Sequence, residues 1–314
     1  MNYRALGNTG IVVSRICFGT LTISPLQRNL SLKEGCRVLD RAVDQGINFI
    51  DTADLYRTYP YIREALKRKP DLIVSTKSYA YDKKTAQETL TRALKETGRD
   101  YVDLFLLHEQ EGPLTLKGHE EALQFFLRQK EKGLIRAVGI STHFVAAVKA
   151  AAKISEIDVI HPILNFRGMG IVDGTLTEME QAVATAYKAG KGIYVMKALG
   201  GGHLLKNFEK ALDYILDFPY THSIALGMQR PEEVDANVEY FAKRDISEQL
   251  RRQLKQYKRE LIVEYWCQGC GNCIQRCNQS ALHLKDGKAM VDQDKCVLCG
   301  YCGTVCKELA IKVI

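Results

Sequence analysis

VDLFLL, residues 102–107, holds five apolar residues and one aspartate, and His108 follows it. A strand with one face in water alternates polar and apolar residues. This run does not, so it reads as a strand covered on both faces, as in parallel sheets flanked by helices. Just before it, Ala86, Leu90 and Leu94 recur at helical spacing and stop near Gly98. Just after it come a helix over 118–132 and a strand over 135–140.

The alternation extends both ways. Upstream, a short apolar run ends at Gly19-Thr20, and Leu32, Cys36, Leu39 and Val43 mark a helix. Ser31 and Glu34 form its capping box, and Gly46 is placed to end it. INFID (47–51) is a strand, a short helix spans about 61–68, and LIVSTK (72–77) is the next strand. Downstream, helices are expected over 143–153, 175–189, 203–217 and 231–242, and strands over 157–161, 192–196 and 222–226. Eight strand–helix pairs in about 245 residues fit a doubly wound open sheet or a (β/α)8 barrel, and the count favours the barrel. The open sheet would want a GxGxxG turn after its first strand, but Gly19 is followed by TLTISP. YRALGNTG, near the start, is expected to be a hairpin plugging the barrel floor.

In such a barrel, function gathers where the strands stop. Asp51 closes the second strand, with Tyr56 in the loop beyond it; Lys77 closes the third and His108 the fourth. Ser141 closes the fifth, Asn165 follows the sixth, Met196 and Lys197 close the seventh, and Gly227 follows the eighth. Asp51, Lys77, Tyr56 and His108 on one rim make a carbonyl-reduction site. A phenol is a weak acid at its ordinary pKa of ~10, and a neighbouring ammonium would lower it. Asp51 would hold Lys77, Tyr56 would give a proton to the carbonyl oxygen, and His108 would orient that oxygen.

NFIDTADLY (48–56), the lysine of LIVSTK and the histidine of LFLLH together resemble the aldo-keto reductases, over residues 1 to about 245. The resemblance implies a (β/α)8 barrel, NAD(P)H in an extended pose, and interconversion of a small carbonyl and its alcohol with Tyr56 as general acid. It implies cofactor contacts from Gly19 and Thr20, from Ser141 and Asn165 near the nicotinamide carboxamide, and from Met196, where the family commonly has a stacking aromatic. KALGGG (197–202), with Lys197 and Leu199, is similar to the loop that crosses the pyrophosphate. GMQRPEEVDAN (227–237), with Gly227, Gln229, Arg230, Glu233 and Asn237, resembles the part that holds the adenosine phosphate at a helix N-terminus. His161 stands where a carboxamide contact is common, and buried packing explains it equally well. Gly227 and Glu233 stand where basic residues often grip a 2′-phosphate, so NADP and NAD both remain open. The loop EQEGPLTLK is short and no family-type tail follows the barrel, which leaves the substrate unread.

Eight of the ten cysteines fall in the last 48 residues, as CQGCGNCIQRC (267–277) and CVLCGYCGTVC (296–306). Each run is C-x2-C-x2-C-x3-C, and in two-cluster ferredoxins the fourth cysteine of one run serves the other cluster. Cys267, Cys270, Cys273 and Cys306 would hold one [4Fe-4S] cluster, and Cys296, Cys299, Cys302 and Cys277 a second. Paired zinc sites are the alternative, but zinc favours two C-x2-C knuckles, and a third cysteine at the same spacing suits a cube. Asn278 and Lys307 replace the proline usual after the fourth cysteine. ALHLKDGKAMVD (281–292) reads as a hairpin turning at Asp286-Gly287, and AIKVI (310–314) as a closing strand, in a bacterial ferredoxin-like module. Cys17 and Cys36 read as core residues.

The expected organisation is a barrel over 1–245, a basic helical linker over 246–262, and the iron–sulfur module over 263–314. The net charge of +7 owes much to Lys243–Arg259, with seven Lys/Arg against Asp245 and Glu248. Helical spacing there points to a solvated face, and little aromatic interleaving argues against nucleic acid. No run approaches the ~18–20 apolar residues of a membrane span, and MNYRALGNTG lacks the apolar core of a secretory signal, so the expected location is cytoplasmic. No flavin signature joins hydride chemistry to one-electron chemistry. Three arrangements follow: a carbonyl reductase whose module trades electrons at the substrate or with a redox partner protein, a reductase with structural or oxidation-sensing clusters, or an electron carrier on a repurposed barrel.

Overall fold

The structure is a computed structural model and describes residues 1–314. A two-stranded hairpin, β1 (Tyr3–Ala5) and β2 (Val12–Ser14), comes first. Eight parallel strands then close into a barrel: β3 (Ile16–Gly19), β4 (Phe49–Asp51), β5 (Ile73–Ser78), β6 (Val102–Leu107), β7 (Ile135–Thr142), β8 (Val159–Pro162), β9 (Gly192–Val195) and β10 (Ser223–Gly227), with β10 paired back onto β3. The helices are α1 (Leu32–Asp44), α2 (Tyr59–Arg68), α3 (Lys83–Thr97), α4 (Pro113–Gly118), α5 (Glu120–Glu131), α6 (Val145–Ala151), α7 (Leu176–Lys188), α8 (Phe208–Asp217), α9 (Pro231–Lys243), α10 (Glu248–Lys255), α11 (Asn272–Arg276) and α12 (Tyr301–Thr304). The small domain adds β11 (Leu261–Val263), β12 (Leu282–Lys285), β13 (Lys288–Val291) and β14 (Ile311–Val313).

The run 102–107 behaves as its composition requires. Leu104 and Leu106 point into the barrel with Phe49, Ile73, Val159 and Tyr194, while Phe105 and Leu107 pack under the helices. Asp103, its one charge, is buried and held by Arg99 at 2.9 Å and Arg136 at 2.6 Å. Leu6, Ile11 and Val13 of the hairpin join the same interior cluster, so the hairpin plugs the floor as expected. Each such large side chain, fully buried, contributes roughly 1.5–3 kcal/mol.

The capping box of α1 is present: Ser31 Oγ accepts from Glu34 N at 3.3 Å, and Ser31 N donates to Glu34 Oε2 at 3.0 Å. The helix expected over 118–132 is α5, and the short α4 precedes it. One expected helix differs. The one over 203–217 starts only at Phe208, because Gly200, Gly201 and Gly202 all have positive φ and the chain up to Asn207 winds in short 3-10 turns. The hairpin at Asp286-Gly287 forms, both residues having positive φ as a type I′ turn requires. The closing strand β14 pairs antiparallel with β11, which begins at Leu261, inside the stretch expected to be a helical linker.

Candidate active site

The register β4–β5 sets Asp51 against Ser75, and Lys77 lies two residues further along β5. Lys77 Nζ donates to Asp51 Oδ1 and Oδ2 at 2.8 and 2.7 Å and to Thr52 O at 2.7 Å, so its three N–H groups are all engaged. Both side chains are buried. The hydroxyl of Tyr194, on β9, donates to Asp51 Oδ1 at 2.9 Å and lies 2.7 Å from Ser75 Oγ. His161 stacks on Tyr194 with ring centroids 3.8 Å apart, and its Nδ1 donates to Tyr194 O at 2.6 Å. Burial pushes its pKa down to about 4, so the ring is neutral. Tyr194 was not singled out from sequence, since a tyrosine in a buried strand looks like packing.

Tyr56 ends a short 3-10 turn after β4, and Arg92 bonds both oxygens of Asp54 in that turn at 2.8 Å. Lys77 Nζ lies 5.2 Å from the Tyr56 ring centre, and the His108 ring is 5.9 Å away at 76°. Tyr79 stacks on His108 at 4.5 Å and donates to Glu109 Oε2 at 2.7 Å. Asp51, Lys77, Tyr56 and His108 therefore meet at one rim. Burial, then the charge of Lys77, keeps His108 neutral, and its Nδ1 has no partner. The expected acidic phenol is not found. Burial, followed by Asp51 and Glu109, raises the Tyr56 pKa well above its ordinary value.

A cavity of about 930 Å³ opens beside Tyr56 and runs past Met196 and Lys197 to Glu233 and Asn237 on α9. Gly19, Asp51, His161, Leu199, Gly227 and Gln229 also line it. Four residues expected to meet a cofactor are not in its wall. Thr20 Oγ1 donates to Asp51 O at 3.0 Å, and Ser141 Oγ accepts from Glu109 N at 2.9 Å. Asn165 braces its own loop through Met169 O at 2.9 Å and Met169 N at 3.0 Å. Arg230 lies over the ring of Tyr257 at 3.9 Å. Conversely, the basic segment is not merely solvated: Arg251, Leu254, Lys255 and Arg259 line the far end of the cavity. Arg259 pairs with Glu233, which also accepts from Gln229 N at 2.7 Å.

The small domain roofs this cavity. Leu298, Lys312, Val313 and Ile314 line it, and the carboxylate of Glu264 bears on Tyr56, Lys197 and Lys312. His203, just past the three glycines, bonds Ile311 O at 2.9 Å. Within the small domain, Cys277, Cys296, Cys299 and Cys302 line one small cavity. Cys273 is surrounded by Cys306, Cys267 and Cys270, whose charges, after burial, raise its thiol pKa. No three His, Cys, Asp or Glu groups converge closely enough to hold a single metal ion. No helix is long and apolar enough to cross a membrane.

The molecule is thus a closed parallel barrel with ionisable groups on one rim, joined to a cysteine-rich module. Residues 15–213 match the aldo/keto reductase family and residues 289–312 match a 4Fe-4S binding domain, so the chain belongs to the aldo/keto reductase family and carries an iron–sulfur domain. It is 27% identical to the uncharacterized oxidoreductase YqkF of Bacillus subtilis over 314 aligned positions, covering 84% of this chain and 99% of that protein. It is 25% identical to the methylglyoxal reductase DkgA of Escherichia coli over 181 positions, covering 54% of this chain and 64% of that protein. An aldo-keto reductase structure from Bacillus halodurans superposes with a TM-score of 0.67 at 23% identity, covering 82% of this chain and 96% of that one, and shares the fold.

Proposed function

We propose that this protein interconverts a small carbonyl compound and its alcohol, using NAD(P)H along the 930 Å³ cavity and two [4Fe-4S] clusters in the small domain. The observation that carries the reading is the meeting of Tyr56, Lys77, Asp51 and His108 at one rim, where Tyr56 and Asp51 line a cavity of about 930 Å³. Two buried groups in that cavity's wall, Asn237 Oδ1 and Lys312 Nζ, have no protein partner, which fits a polar ligand that supplies one. The bound dinucleotide would supply the hydride, and clusters held by Cys267, Cys270, Cys273 and Cys306 and by Cys296, Cys299, Cys302 and Cys277 would exchange single electrons.

Tyr56, its pKa raised, holds its proton at neutral pH and can give it to the carbonyl oxygen, since an alkoxide is more basic than a phenolate. Neutral His108 offers an N–H that orients the same oxygen. Lys77 and Asp51 act as a fixed pair beneath Tyr56, and Tyr194 secures Asp51 from the other side. At the far end, Glu233 is taken up by Gln229 N and Arg259, so it is not free for a ribose hydroxyl. Lys255, which makes no ion pair, lines the same end and favours a 2′-phosphate, hence NADPH.

Tyr56→Phe tests the proton donor. Carbonyl reduction should fall by about 10²–10⁴-fold with dinucleotide affinity unchanged; turnover that survives would place the donor elsewhere. Iron and sulfide counts on anaerobically purified protein test the two clusters, and the content of a single cluster would reject one thiol ring.

A further inference from the structure

Lys312 sits in the middle of β14, on the roof of the cavity. It is 3% exposed, and its Nζ makes no hydrogen bond. A buried ammonium that makes no hydrogen bond and shares one carboxylate, Glu264, with Lys197 is costly, so a chain that keeps it there has a use for it when the cavity is filled. The seat below it is cut to fit. A Cβ at Gly201 would lie 2.9 Å from Lys312 Cδ and 3.3 Å from Nζ, and one at Gly202 would lie 2.1 Å from Val313 O. Lys197, from the start of the same loop, also lines the cavity and has a positive φ of 61°. Burial and the neighbouring Lys197 charge both press the Lys312 pKa down. Glu264 faces the two lysines, but its Oε1 accepts from Gln27 Nε2 at 2.9 Å, and burial raises its pKa too.

We propose that Lys197 from the barrel and Lys312 from the iron–sulfur domain form a two-lysine site for a phosphate-type anion. The diphosphate of a dinucleotide lying along the cavity is the ligand this arrangement suits best: two lysines lining one cavity face a group bearing two charges, and the glycines of the loop let Lys312 come down close to it. An anionic group on the substrate is the other source of the same chemistry. The site rests on the reading of the cavity as a dinucleotide cleft. It makes ligand affinity a property of both domains, because β14 follows closely on Cys306, a member of one thiol ring.

The test uses full-length, iron-loaded protein prepared without oxygen. Affinities for ADP-ribose, inorganic pyrophosphate and, as an uncharged control, adenosine are measured by calorimetry for Lys312→Met, Lys312→Arg and Lys197→Met. Both methionine variants should bind ADP-ribose and pyrophosphate at least ~10-fold more weakly, with adenosine unchanged and Lys312→Arg close to the parent. Lys312→Met should also melt no lower than the parent without ligand, since it removes an unpaired buried charge, and its iron content should match. If ADP-ribose binding holds but KM for carboxylate- or phosphate-bearing carbonyls rises about tenfold, with neutral aldehydes unaffected, the anion site stands with the substrate as its ligand. If no anion's affinity or KM moves, the proposal is overturned. Loss of ADP-ribose affinity in Lys312→Met alongside undiminished turnover in Tyr56→Phe would reject the catalytic reading and leave the anion site standing.

Discussion

Lys77 and Asp51 are a buried pair whose bonds leave no N–H of the lysine free. Lys77→Met would strand the Asp51 carboxylate in the barrel, and we expect a stability loss of roughly 3–5 kcal/mol by chemical denaturation, along with the loss of activity. Tyr194→Phe removes one hydroxyl shared by Asp51 and Ser75 and should cost about 1–3 kcal/mol. The buried histidines set the acid limit. His161 and His222 both have pKa values lowered to about 4, chiefly by burial. The unfolded chain takes up their protons below about pH 6.5 and the folded chain does not. Stability should therefore be full above that pH and fall as pH drops toward 4, by roughly 3 kcal/mol for each histidine, as denaturation midpoints against pH would show. The four rim residues could be read from sequence because each closes a strand or follows one. Tyr194 could not: its hydroxyl meets a carboxylate 143 positions away, which only barrel closure brings near.

Among the elements, glycine decides how closely backbones approach. In β7, a Cβ on Gly139 would lie 2.1 Å from Val159 O and 2.7 Å from Leu106 Cδ2. Gly139→Ala should destabilise the barrel by about 1–3 kcal/mol or more, seen as a lowered Tm. Gly202→Ala differs in kind. Its φ of 90° disfavours any side chain, and the added carbon would push against Val313 O, so β14 should lift from the loop while the barrel stays folded. Hydrogen exchange should then rise over 311–313 and not over β6. The element α10 carries the charge that sequence assigned to solvent. If Lys255 holds a 2′-phosphate, Lys255→Ala should lower kcat/KM for NADPH about tenfold or more and leave NADH nearly unchanged. Periodicity shows that a helix has a polar face; it cannot show that the face borders a cavity.

At the scale of the whole molecule, the two domains differ in what holds them. The barrel has a core of 56 buried residues under its helices and a second cluster of 11 inside. The small domain has a core of six, two of them Cys273 and Cys302. So small a core folds with its metal or not at all. Chelating the iron should unfold residues 261–314 first, exposing the cavity, and leave the barrel to melt in a separate transition; calorimetry of iron-loaded and iron-stripped protein would show one of the two transitions disappear. The chain alone determined the barrel and which side chains stand at its strand ends, because strand and helix periods are local facts of sequence. Only the tertiary structure decided that the iron–sulfur domain roofs the barrel, that Lys312 enters the cavity, and that burial raises the pKa of Tyr56. Those depend on packing and on where buried charges meet, and both are settled by residues far apart in the chain.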